Sequence, residues 1–209
     1  RISVGLKLVS ILRRELDVQS LEIEAPQLRI VVHPDGTTNL PRPSVPRRGP
    51  GNAVERFLAL AIDRVDVFGG TVECGIEKIE LELHGEQLRA RLFHQASPQK
   101  YLGEVSLRKA NLRSPQVPAG PMDISASVEL EGNRLAFRVA NARTAKSSIG
   151  FEGAVADWRS PRLEARFSGE ISMAEFARAW SLPVAPTGTA SVPGGVQFDG
   201  SGGGRARST

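Results

Sequence analysis

A rhythm of apolar positions constrains this chain more than any single motif. From Leu16 to Leu40 it reads LDVQSLEIEAPQLRIVVHPDGTTNL. Leu16, Val18, Leu21 and Ile23 carry the rhythm, Pro26 interrupts it, and Leu28, Ile30 and Val32 resume it before Pro34-Asp35-Gly36. Successive side chains of a strand point to opposite faces, so this spacing puts the apolar residues on one face and Glu22, Glu24, Gln27 and Arg29 on the other. Proline has no amide hydrogen for a ladder, so Pro26 marks a strand boundary or an edge, and Asp35-Gly36 is turn chemistry.

The rhythm returns at Leu60, Ile62, Val65 and Val67, with Gly70 where Pro26 stood and Val72 where Leu28 stood. It returns at Val105, Leu107, Ala110 and Leu112, then Pro115 and Val117, and at Phe151, Gly153, Ala156 and Trp158, then Pro161 and Leu163. The copies start at 16, 60, 105 and 151, which are 44, 45 and 46 residues apart. Fixed periods of this size are characteristic of repeat architectures. Alternating segments also align readily with one another, so a plain meander with similar turns would read much the same. Either way the expected fold is mainly β: an antiparallel meander forming a curved open sheet, a trough, repetitive if the period is real, with one or two short helices.

The remaining segments fit that frame. Residues 1–9 alternate Ile2, Val4, Leu6 and Leu8 and read as an opening strand, followed by a short polar turn or a single helical turn over 10–15. Residues 41–53 are too rich in proline to enter a sheet and predict an exposed loop. Pro43 and Pro46 among Arg42, Arg47 and Arg48 match a short polyproline ligand, but a solvated basic loop has the same composition. Residues 53–58 suit a helical turn, with a strand after it. Ile79–Leu83 and Leu88–Leu92 flank His84-Gly85-Glu86-Gln87 as a hairpin. Tyr101–Leu107, Ile124–Leu130 and Leu135–Val139 continue the meander, with a turn at Gly132-Asn133. Ser172 and Glu175 form a capping box, and Phe176, Ala177 and Trp180 share a helical face, so Ser172–Ser181 is the clearest helix. Thr187–Phe198 reads as a further strand. Residues 1–198 thus form one β-rich region, and 199–209 a glycine-rich linker or end. The chain opens on Arg1 rather than Met, which reads as a piece of something longer.

Composition narrows the function. Lys and Arg exceed Asp and Glu by 27 − 23 = 4, but the signs interleave along the strands, as in Glu80, Glu82, Arg89 and Arg91. No dense basic patch of the nucleic-acid kind results, and nucleic acid is not expected as a partner. The lone Cys74 permits no internal disulfide. Cys74, His84 and His94 are each ten residues apart, unlike the close pairs of zinc sites, and read as ordinary strand residues. His33 has no partner nearby in sequence. There is no nucleophile elbow, His-Glu-x-x-His helix or Walker loop, and the carboxylates Glu22, Glu24, Glu80 and Glu82 fall on the solvated face of strands. No enzyme, metal or cofactor is expected.

What remains is an apolar face with few aromatics, at 5% of residues, to fill it. Such a face must meet a second layer, a partner or acyl chains. Leu21, Ile23, Leu28, Ile30, Val65, Val67, Leu81, Leu83, Leu107 and Val128 share the apolar parity of their strands and are the candidate lipid groove.

Leu21-Glu22-Ile23-Glu24-Ala25-Pro26-Gln27-Leu28-Arg29-Ile30, followed by Asp35-Gly36 and Asn39-Leu40, resembles the opening of the AsmA-like bacterial envelope family, related to TamB-like and chorein-type bridge lipid-transfer proteins. Val65, Val67, Gly70 and Val72 are similar to a further element of that family. Gly150 to Gly153, Leu163 to Ile171 and the Met173-Ala174-Glu175-Phe176-Ala177-Arg178 helix resemble its later repeats. The resemblance spans most of residues 2–198 and is one of pattern. It implies a periplasmic β-rich protein, tethered to the inner membrane by an N-terminal anchor outside this sequence, that moves phospholipid toward the outer membrane or maintains that membrane. Phospholipid, other segments of the same longer chain and the inner membrane are the implied partners. The competing expectation is a scaffold whose apolar face packs on another domain.

Overall fold

The computed structural model describes residues 1–6, 18–35, 37–39, 58, 60–115, 121–157, 162–184, 186–199 and 207–208. The polar turn at 10–15, the proline-rich loop at 41–53, Val117, Trp158 and Pro161 lie outside them. Of the described residues, 72% are strand and 7% helical, in an open, curved, mixed sheet that does not close on itself.

The strands are β1 (Ile2–Leu6), β2 (Val18–Glu24), β3 (Gln27–Val32), β4 (Arg64–Ile76), β5 (Leu81–Ala96), β6 (Gln99–Arg113), β7 (Pro121–Glu131), β8 (Arg134–Arg143), β9 (Ser148–Ala156), β10 (Arg162–Ser172), β11 (Thr189–Ser191), β12 (Gly194–Asp199) and β13 (Arg207–Ser208). A helix, α1 (Met173–Ala179), follows β10, and a 3-10 turn, Glu77–Ile79, links β4 to β5. All thirteen strands join one sheet, in the order β1-β2-β4-β5-β6-β7-β8-β9-β10-β12-β13, with β3 beside β4 and β11 beside β10. From β4 to β10 the sheet is the antiparallel meander that the alternation predicts. The first part is not: β2 and β3 both run parallel to β4. Their register places Ser20 opposite Arg64 and Gln27 opposite Thr71, an offset of 44 residues. The first two copies of the rhythm therefore lie side by side in step, which a hairpin cannot achieve and a crossover can.

The extra residue inside the rhythm is a β-bulge. Register shifts occur between Val67 and Gly70 on β4, between Glu86 and Arg89 along β5, and between Leu107 and Ala110 on β6. Left-handed residues mark the line: Ala25 between β2 and β3, then Gly69, Gln87 and Lys109. Gly70 lies opposite Leu88, and Glu86 opposite Arg108, so the bulges sit at one level across neighbouring strands. A bulge inserts one residue, bends the strand and lets the apolar face resume beyond it. The spacing that looked like a hairpin at His84–Gln87 is one of these bulges. β5 runs unbroken through it, because the ladder needs only one left-handed residue there, not a reversal.

Other boundaries also move. β4 begins at Arg64 rather than just after Leu58, since Ala61 is left-handed and the Ile62 amide donates to the Tyr101 hydroxyl at 2.9 Å. Thr187–Phe198 splits into β11 and β12 around Val192-Pro193, where the Val192 amide turns to the Gly169 carbonyl and Pro193 has no amide to offer. In the fourth copy Val155, not Ala156, continues the face of Gly153, because β9 has no bulge of its own. The glycine-rich end regains two ladder residues in β13, opposite Val196 and Gln197. The turn at Gly132-Asn133 stands as expected, with Gly132 at φ +50°.

Candidate functional site

Cross-strand partners lie on the same face, so register alone maps the candidate groove. One row runs Val65, Leu92, Gly103, Val128, Phe137, Gly153, Ala165 and Val196, from β4 to β12. The next runs Val67, Ala90, Val105, Ala126, Ala140, Phe151, Phe167 and Gly194. The ten predicted residues all fall on this face. Leu21 and Ile23 sit opposite Val65 and Val67, and Leu28 and Ile30 opposite Val72 and Cys74. Leu81 and Leu83 oppose Ile76 and Cys74, and Leu107 opposes Ile124.

Apart from His94, which lies opposite Tyr101 with ring centroids 5.2 Å apart, the described part of this face is apolar, but it is unevenly covered. Near the β4–β6 end, Leu58 and Ile62 pack on Val65 and Tyr101, with Val18, Leu21, Leu92 and Leu130 around them. Tyr101 is fully buried there. A second cluster gathers Leu88, Leu107 and Ala110 at the bulge line, with Val67, Val72, Leu83 and Met122 against it. Beyond β6 the rows of Ala126, Val128, Phe137, Phe151, Ala165 and Phe167 are half-buried, each still partly open to solvent. Leu28 near the sheet edge is 45% exposed. Glycines on this face mark close backbone approaches. An added Cβ at Gly103 would strike the Arg91 carbonyl of β5, and one at Gly153 the Glu164 carbonyl of β10. Glycine at such points lets a sheet curl where any larger residue would hold it flat.

The opposite face carries ladders of alternating charge. Asp66, 1% exposed, lies between Arg64 and Arg91. Burial pushes its carboxyl up, but hydrogen bonds from both guanidinium groups outweigh that and hold it below the ordinary 3.8. Glu129 accepts from Lys100 at 2.9 Å and from Arg138, which together hold it below 4.5. Arg138 follows Phe137 at a further register shift in β8, which aims it at Glu129. Along β3–β5, Glu73 sits 3.8 Å from both Arg29 and His84. A hollow of about 460 Å³ on this face is lined by Asp66, Arg89, Arg91, Glu104, Ser125 and Asn141. Its mixed signs offer no single-sign cradle, and a carboxylate held ionised by two cations is a poor proton donor near neutral pH.

Cys74 and His84 turn out to face opposite sides of the sheet. Cys74 shares the apolar face with Leu83, and His84 pairs with Glu73 on the polar one. Burial pushes the Cys74 thiol up, which favours the unreactive protonated form. Among the described residues no three His, Cys, Asp or Glu side chains gather as metal ligands. His33 has a partner that sequence reading missed, Glu77 at 3.1 Å, brought in by the parallel register. No helix among the described residues is long and apolar enough to cross a membrane. Comparison with protein-family models, with curated proteins and with solved structures finds no match for this chain.

Proposed function

We propose that this chain holds or conducts phospholipid acyl chains along its apolar sheet face, as a non-enzymatic part of a periplasmic, inner-membrane-anchored protein serving outer-membrane biogenesis or maintenance. The observation that carries the reading is the continuous apolar rows from β4 to β12, half-buried beyond β6 and flanked by a charged outer face. Aliphatic side chains and alanines line such a trough without imposing a specific geometry, which suits flexible tails of varied length. The packed cluster of Leu88, Leu107 and Ala110 favours a second reading, a scaffold whose apolar face completes a core with another domain.

The two readings separate on one substitution. Val128→Asp places a carboxylate in the half-buried part of the face, where an empty trough leaves it solvated and a loaded one does not. The trough reading expects phospholipid in organic extracts of the purified wild type. It expects the variant to melt cooperatively near the wild-type temperature while carrying none. A wild type without lipid, together with a variant that fails to fold, would establish the scaffold instead.

A further inference from the structure

The turn after β3 closes the outer edge of that strand, and we infer that Asn39 keeps the edge from pairing with a second copy of this chain. Residues 37–39 fold back antiparallel on the end of β3. The His33 amide donates to the Thr37 carbonyl at 2.8 Å and the Asn39 amide to the Val31 carbonyl at 3.2 Å, with Val32 bridged to Thr38. Asp35 fixes the reversal: its Oδ1 accepts from the Thr37 amide at 2.9 Å and from the Thr37 hydroxyl at 2.7 Å. An antiparallel ladder continued past Asn39 would need residue 41 to donate to the Arg29 carbonyl and accept from the Val31 amide. Residue 41 is proline and has no amide to donate. The Asn39 side chain supplies both groups instead. Its Oδ1 accepts from the Val31 amide at 2.8 Å, and its Nδ2 donates to the Arg29 carbonyl at 2.9 Å. The carboxamide stands in for a peptide group of a neighbouring strand.

The groups that Asn39 takes are the ones a partner strand would use. A second β3, set antiparallel about Ile30, would place Arg29 opposite Val31 of the copy and exchange bonds through the same carbonyl and amide. The side chains suit that pairing. Leu28 would meet Val32 of the copy and Ile30 its own counterpart, so the apolar face would run on unbroken and no Arg29 would oppose another. An edge strand open in this way is a template for strand addition. The rest of this side is already blunt. β1 covers β2 as far as Glu24, whose amide donates to the Arg1 carbonyl, and Pro26 has no amide. β1 itself is only five residues long and shifts register between Gly5 and Leu6, which makes it a poor template. Asn39 thus closes the stretch of β3 that would otherwise be self-complementary. The inference concerns the edge alone and holds whether or not the sheet face carries lipid.

The test is sedimentation equilibrium of the full chain over a range of concentrations, joined to hydrogen exchange at the Val31 amide. In the wild type that amide should be protected. Asn39→Ala should keep the far-ultraviolet circular dichroism, lose Val31 protection in dilute solution, and self-associate at least about tenfold more tightly than wild type. Asn39→Asp keeps the side-chain shape and still accepts from Val31, but it cannot donate to Arg29. It should associate to an intermediate extent, and it decides the matter if the alanine variant fails to fold. Val31→Pro added to either variant removes the outward amide, which takes no bond from the β3–β4 ladder, and should return association to the wild-type level. Equal association by the wild type and the Asn39 variants would overturn the inference. So would extra association that survives Val31→Pro, or a Val31 amide that exchanges at the unprotected rate in the wild type.

Discussion

At the scale of single residues, the polar face is held by carboxylates enclosed between cations rather than by scattered surface pairs. Glu129 is 5% exposed, and its partners differ: Lys100 is largely covered, while the Arg138 side chain is 72% exposed. Exposed partners contribute little through screened charge, so the lysine side matters more. Glu129→Gln should cost about 1–2 kcal/mol at neutral pH, by weakening charge-assisted bonds without leaving an unpaired anion. The pH dependence follows from the lowered folded-state value. An acid with a depressed folded pKa contributes stability above its unfolded value, here the ordinary 4.5, and loses it as pH falls through the folded one. Urea unfolding at a series of pH values should show the gap between wild type and Glu129→Gln shrinking steadily below about pH 4.5. A gap that stays constant into the acid range would show that the ionised pair contributes nothing.

At the scale of the element, bulges and glycines give each strand its bend. Gly103 in β6 faces the apolar side with the Arg91 carbonyl across its Cα, while Gly75 in β4 has open space around a built Cβ. Alanine for glycine ordinarily stabilises a compatible strand position by about 0.4–1 kcal/mol, through the unfolded chain. Gly75→Ala should follow that trend. Gly103→Ala should instead destabilise by about 2 kcal/mol or more, because backbone on β5 has to move. Thermal melts of the two variants check the contrast, and equal shifts would mean that β6 can relax away from β5 without cost. The helix shows how an element can keep its position and change its cause. Ser172 is the N-cap, as its spacing with Glu175 suggests, but its side chain makes no cap bond. Its backbone amide donates to Ser147 instead, and Glu175 reaches the same β8–β9 turn. Tertiary contact with that turn replaced the local capping box and shortened the predicted helix to Met173–Ala179.

At the scale of the whole molecule, a sheet with an apolar face half open beyond β6 should behave unlike a closed sandwich. Anilinonaphthalene sulfonate should bind the folded chain with strong fluorescence while near-ultraviolet circular dichroism stays native. A lysophospholipid with a long acyl chain should displace it. A native chain that leaves the dye dark would mean that the face is covered.

Strand character, the two-faced pattern and the ten-residue apolar face were legible in the sequence, because side-chain alternation is a local property of extended backbone. The x-x interruption was legible too, as a spacing, but not as a bulge. A hairpin turn and a bulge ask for similar residues, and only the neighbouring ladder distinguishes Gln87 in an unbroken β5 from a reversal at the same place. The parallel placement of β2 and β3 on β4 was likewise beyond the sequence, since it depends on a crossover whose direction is set by packing. That choice brought His33 to Glu77 and separated Cys74 from His84 across the sheet. The sequence by itself determined which face each side chain takes, since that follows from parity along one strand. Only the tertiary structure decided which strands adjoin, where they bend and which carboxylates end up between cations, since those depend on contacts between residues far apart in the chain.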